Sequence, residues 1–229
     1  PYMILTDGTS HNFALNFQLS RSSIDNPIYT RRGSQFTLGL KITPPYSLIK
    51  GTTDAQYAQM TTSEKYNLLE YHKWKFSGKV FTPLSADSKL VLMARAEFGY
   101  LGHYNKNVKS PFESFYMGGD GMSSYSSYST EYIAMRGYQS GSLTPYDPAT
   151  GRNMGYVYNK FTMELRYPIA LEQNATIWAL AFVEAGNCFA DIRDYNPFKL
   201  KRSAGVGVRL FLPMFGLMGI DWGWGFDPI

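Results

Sequence analysis

The feature that most constrains the fold of this chain is an alternation of apolar and polar residues with a period of two, recurring from one end to the other. Phe13, Leu15, Phe17 and Leu19 alternate with Ala14, Asn16, Gln18 and Ser20, and Phe36, Leu38, Leu40 and Ile42 with Gln35, Thr37, Gly39 and Lys41. Successive side chains of a β-strand point to opposite faces, so each run is a strand with one apolar and one polar face. The pattern returns at 72–80, 90–100, 161–167, 203–210 and 220–226. In the last of these, Ile220, Trp222, Trp224 and Phe226 share one face and Asp221, Gly223, Gly225 and Asp227 the other. The stretch 177–189 differs, because both of its faces are apolar: Trp178, Leu180 and Phe182 share the parity of Glu184, while Ile177, Ala179, Ala181 and Val183 take the opposite one.

Turn residues separate the runs at 25–27, 31–34, 83–87 and 213–216, and Pro168 is expected to end the strand at 161–167. A strand is also expected at 112–118. The connections at 43–67 and 119–156 are long. The first is polar, with one turn of helix expected near 63–67, and the second contains an aperiodic Ser/Tyr insertion at 123–130. About nine strands of ~8 to 13 residues joined alternately by short and long connections, with aromatic residues at strand ends, predict an all-β fold, a transmembrane antiparallel up-and-down β-barrel. A soluble β-sandwich is the alternative. The composition favours the barrel, since aromatic residues (16%) nearly equal charged ones (17%), which is more ring surface than a globular core needs. The apolar residues are dispersed, with no run near the ~18 of a transmembrane helix. An open sheet in hydrocarbon leaves costly unpaired backbone groups, so nine strands are expected to be part of a larger barrel, and the numbering to start inside a longer protein.

A net charge of +4 with scattered Lys and Arg gives no nucleic-acid surface. One cysteine, Cys188, allows no intrachain disulfide, and His11, His72 and His103 are too dispersed for metal-ligand spacing, so no cofactor or metal is expected. No rim Ser/His/acid set suggests an outer-membrane protease or phospholipase, and no enzyme is expected. The inward aromatics of 177–189 argue against a passive porin. The segment with functional character is 112–138, where an aromatic stretch runs into Gly118-Gly119, then the Ser/Tyr insertion, then Met135-Arg136-Gly137-Tyr138.

Four motifs in order carry a resemblance. Pro111-Phe112-Glu113-Ser114-Phe115-Tyr116-Met117-Gly118-Gly119 with Met135-Arg136-Gly137-Tyr138 resembles the end of the eleventh strand and the sixth extracellular loop of the BamA family of outer-membrane β-barrel assembly factors. Phe182-Val183-Glu184-Ala185-Gly186-Asn187 resembles its thirteenth strand, 201–209 its fourteenth, and Leu212-Pro213-Met214-Phe215-Gly216-Leu217 the turn into its fifteenth. Glu184 stands where many members have aspartate, and Tyr138 where phenylalanine is commoner. The resemblance implies that residues 1–229 are the C-terminal part of a 16-stranded barrel, about strands 7–15 including the loop 119–156, without the periplasmic POTRA domains and the last strand. It implies an outer membrane of a Gram-negative bacterium, and a function in folding and inserting unfolded β-barrel clients into the lipid bilayer together with accessory outer-membrane lipoproteins. A TamA-like or two-partner secretion translocation barrel is the alternative. It implies finally that Arg136 and Gly137 at the loop tip dock on the inner wall at Glu164 and Glu184, both of lumenal parity by alternation, while Tyr138 supplies an apolar contact to Trp178, Leu180 and Phe182.

Overall fold

The computed structural model describes residues 8–120, 130–148, 151–172 and 174–229; most of the Ser/Tyr insertion at 123–130 lies outside them. In chain order come β1 (Leu15–Ser22), β2 (Gly33–Ile42), the helices α1 (Tyr46–Lys50), α2 (Asp54–Gln59) and α3 (Thr62–Lys65), β3 (His72–Pro83) and β4 (Val91–Gly102). The long connection then holds β5 (Phe115–Met117), β6 (Glu131–Ile133), β7 (Tyr146–Asp147) and β8 (Arg152–Asn153), before β9 (Val157–Leu171), β10 (Thr176–Phe189), β11 (Lys201–Leu212) and β12 (Gly216–Gly225). Eight of these form one antiparallel sheet in the order β1-β2-β3-β4-β9-β10-β11-β12. Every strand pairs with its neighbour along the chain, except that β4 and β9 are joined only after the excursion through 103–156. The sheet is a partial barrel whose open edges, among the described residues, are β1 and β12. No helix of the described residues is long and apolar enough to cross a membrane, which says nothing of strands.

The wall follows the alternation. On β9, Phe161, Met163, Leu165 and Tyr167 are exposed on the outside, while Thr162 and Glu164 are buried on the inside. Trp74, Phe76, Val80, Val206, Val208, Ile220, Trp222 and Trp224 continue the exposed apolar face across β3, β11 and β12. So extensive an apolar surface is unsuited to water and fits lipid. The inner face carries Lys41, Lys73, Lys75, Arg95, Lys160, Glu164, Arg166, Glu184, Arg209 and Asp221, whose ion pairs make it a charged lumen.

Three expectations are corrected. The stretch 112–118 is not a wall strand: only Phe115–Met117 is extended, and it pairs in parallel with Glu131–Ile133 away from the main sheet, so the wall has eight strands and not nine. A short extended run packed inside a barrel has the same apolar character as one in its wall, and alternation cannot separate them. Pro168 does not end its strand, since β9 continues to Leu171. The register shifts at this point, Trp178 facing Pro168 and Ile177 facing Ala170, so that Ile169 is the additional residue of a bulge beside the proline, which has no N–H to donate. The polar stretch 43–67 holds three short helices in place of one turn. The last begins at a capping box in which Glu64 N donates to Thr61 Oγ1 (3.3 Å) and Thr61 N donates to Glu64 Oε2 (2.8 Å).

If the outer face meets lipid, charge there is costly. Val206, exposed mid-strand and paired with Trp222, is an outward position. Val206→Lys is expected to lower the unfolding free energy in lipid vesicles by about 2–4 kcal/mol, the range for a cation near the bilayer midplane. An unchanged denaturation midpoint would show that this face does not contact hydrocarbon.

Candidate functional site: an arginine seated in the lumen

After β6 the chain runs through Ala134 and the fully buried Met135 and presents Arg136 to the inner faces of β9, β10 and β12. The Arg136 backbone N donates to Glu184 Oε2 at 2.9 Å, and its Nε and Nη2 donate to Glu184 Oε1 at 3.0 and 2.7 Å. Nη2 also donates to Glu164 Oε1 at 2.8 Å, and Nη1 to Asp221 Oδ2 at 3.3 Å. The guanidinium carbon lies 3.6 Å from the centroid of the Phe182 ring. A planar cation with several fixed donors can serve three carboxylates from three strands while stacking on an aromatic face, which a lysine ammonium cannot reproduce.

The neighbours of Arg136 are shaped to admit it. Gly137 has φ of +90°, and a Cβ there would stand 2.7 Å from the Trp224 carbonyl carbon and 2.8 Å from Gly225 N. Backbone therefore lies against backbone, possible only where Gly137 meets Gly223 and Gly225. The Tyr138 ring covers Gly225; its hydroxyl donates to Arg202 O at 2.8 Å and accepts from Asp227 N at 3.2 Å. Asp227 in turn accepts from Arg202 N (2.7 Å) and from its guanidinium (3.1 and 2.9 Å), and the Arg202 side chain holds the Asp227 carboxyl down at about 2. Asp227 is thus an anion at any physiological pH.

Each carboxylate that receives Arg136 also has a cation of its own in the wall. Arg166 bonds Glu164 at 2.6 Å, Lys160 lies 3.0 Å from Glu184, and Arg209 lies 2.7 Å from Asp221. Withdrawal of Arg136 would strand no buried anion. Its loss should therefore cost less than the ~3 to 5 kcal/mol of breaking a buried pair that leaves one partner unpaired.

The residues singled out in the sequence thus lie together, with two differences. Tyr138 does not contact Trp178 and Leu180 as expected: it packs in a cluster with Leu69, Phe115, Met117 and Met135. Trp178, Leu180 and Phe182 instead share a cluster with Tyr29, Phe81, Val91 and Met93. Tyr29 enters from the connection 23–32, its ring edge-on to Trp178 at 5.7 Å and its hydroxyl donating to Lys89 O at 2.8 Å. Phe182, expected against Tyr138, lies under the Arg136 guanidinium instead. Asp221 and Lys160 belong to the site and were not selected from the sequence, although alternation places Asp221 opposite Trp222 and Lys160 on the parity of Glu164. Among the described residues no group of His, Cys, Asp and Glu could hold a metal ion.

A barrel wall with a lipid-facing outside and a long loop packed into its lumen defines an outer-membrane β-barrel protein. Residues 3–228 match the Omp85 superfamily domain, and the chain belongs to that superfamily. Among solved structures it is similar to the crystal structure of BamA from Haemophilus ducreyi lacking POTRA domains 1–3, with a TM-score of 0.65 and 17% identity. That likeness bears on the fold; it covers 95% of this chain and 39% of the other. No curated protein matches.

Gly137→Ala adds one methyl group against the β12 backbone. It is expected to unseat the loop tip while leaving the barrel folded, read as new protease cleavage near residue 137 with unchanged heat-modifiable migration. A variant as protected as the parent would mean that the close approach has no structural role.

Proposed function

We propose that this chain is barrel wall and lumenal loop of a BamA-like factor that folds and inserts β-barrel proteins into the outer membrane of a Gram-negative bacterium, with Arg136, Gly137, Tyr138, Glu164 and Glu184 fixing the loop inside. The observation that carries the reading is the convergence of wall carboxylates from β9, β10 and β12 on one loop arginine, in a member of the Omp85 superfamily. Nothing in this role calls for a cofactor or a catalytic group; the work is strand pairing and lipid rearrangement. Clients are unfolded outer-membrane barrels, and accessory lipoproteins are the expected companions of the full-length protein. The eight wall strands, counted outward from the long loop as the sixth extracellular one, correspond to the eighth to fifteenth of sixteen; the seventh drops out because 112–118 is not in the wall.

An exposed strand edge is a template for another strand, and in hydrocarbon an unpaired edge is untenable, so a barrel that opens offers an incoming client its backbone hydrogen bonds. A lumenal loop that couples β9, β10 and β12, within a run of four paired strands, makes this part of the wall one rigid body, against which a seam elsewhere can open.

Depletion of the full-length protein followed by a census of folded outer-membrane proteins is the test. Broad loss of unrelated barrels is expected, and complementation with Arg136→Ala should restore them poorly and with Arg136→Lys partially. Loss of a single secreted substrate would overturn the assembly reading in favour of a TamA-like or two-partner secretion translocation barrel.

A further inference from the structure

The same loop makes a second set of ion pairs farther along the wall, on β2 and β3, with the charges reversed. Here the loop supplies the anions and the strands the cations. Glu113 accepts from Lys41 Nζ of β2 at 2.5 Å and from Lys73 Nζ of β3 at 3.2 Å. Glu131 pairs with the same Lys73 at 2.9 Å and with Lys75 at 2.5 Å. Lys73 sits between the two acids with its side chain 5% exposed, its ammonium also 4.8 Å from the centroid of the Phe115 ring. Phe115 is fully buried and faces Glu131 in the parallel β5–β6 pair, so both acids bracket one anchored ring. Glu113 has φ of +67°, a left-handed conformation that a non-glycine residue keeps only where its surroundings over-determine it.

The two sets differ in what they leave behind. At the tip, each wall carboxylate retains a wall cation when Arg136 departs. At the base, Glu113 and Glu131 are, among the described residues, the only carboxylates within ion-pair distance of Lys41, Lys73 and Lys75. Lifting the base would leave three ammonium groups side by side on neighbouring strands, one of them buried, with no counter-charge. Stranded buried charge is far costlier than the loss of a pair whose partners are neutralised elsewhere.

We propose that Lys41, Lys73 and Lys75 with Glu113 and Glu131 form a base clamp that positions the loop independently of Arg136, so that the loop is a fixed stem carrying a releasable tip. The lysines are positioning residues and act on the tip through the β5–β6 pair, whose last residue, Ile133, precedes Arg136 by three positions. This inference concerns how the loop is held and stands whether the full-length protein assembles barrels or translocates a substrate.

Cys188 is a built-in reporter of the stem, because its Sγ lies against Gly155, whose backbone exchanges hydrogen bonds with that of Phe115, in the buried cluster that also holds Met117, Met135 and Tyr138. The full-length protein in outer-membrane preparations is treated with a membrane-impermeant maleimide, and modification at Cys188 is followed by peptide mapping alongside proteolysis near residue 137. Lys73→Met and Glu131→Gln are expected to raise the Cys188 modification rate on the order of tenfold. Glu131→Asp, which keeps the counter-charge to Lys73 and Lys75, should stay much nearer the parent rate. Arg136→Ala should open the tip to protease and leave Cys188 protected. Glu131→Gln alters only the loop, so it remains informative if Lys73→Met does not fold; heat-modifiable migration identifies barrels that have lost their fold. The proposal is overturned if Arg136→Ala exposes Cys188 as much as Glu131→Gln does, or if Glu131→Gln leaves it protected in an intact barrel.

Discussion

A guanidinium inside a barrel can remain charged only if the wall provides counter-charges, and the arrangement of those counter-charges decides how firmly the loop that carries it is held. Arg136 reaches Glu164, Glu184 and Asp221 on three strands, yet none of them depends on it for neutralisation. The favourable term is the geometry of a planar donor set over Phe182, not the rescue of a stranded anion. Such a contact is specific in direction and modest in free energy, which suits a loop tip that has to be placed accurately and can still leave.

The two faces of the wall answer to different solvents. Outside, alternate side chains are aromatic and branched aliphatic residues facing the hydrocarbon. Inside, the same strands turn lysine, arginine and carboxylate toward one another and toward the loop. The division runs around the lumen as well: the inner faces of β2 and β3 present lysines, while the carboxylates that receive Arg136 stand on β9, β10 and β12. The loop meets each side with the opposite charge, so it has one electrostatically sensible orientation.

Much of this was legible in the sequence because a strand buries every second residue and the code has period two. Parity alone put Glu164 and Glu184 on one face with Thr162, Arg166 and Phe182, before any loop contact was considered. Other features depend on distant partners and leave no local trace. Phe115–Met117 looks like a wall strand because its apolar character is that of one, and only the loop's return at Glu131–Ile133 gives it another partner. Pro168 reads as a strand end because the bulge that accommodates it requires β10 to shift register opposite. The pairing of Glu113 with Lys73 spans β3, β4 and the start of the connection, and although Glu113 stands in the motif at 111–119, nothing local names Lys73 as its partner. Tyr29 on Trp178 is likewise a contact between remote segments.

The most direct test of the account is a double-mutant cycle between Arg136→Ala and Glu184→Gln, with the free energy of loop-tip opening taken from native-state proteolysis near residue 137. The lumenal contact predicts a coupling of about 1–2 kcal/mol, since both changes act on the charge-assisted bonds from the Arg136 guanidinium to Glu184. Strictly additive effects, with no coupling beyond about 0.3 kcal/mol, would contradict it and place the arginine elsewhere in the working protein.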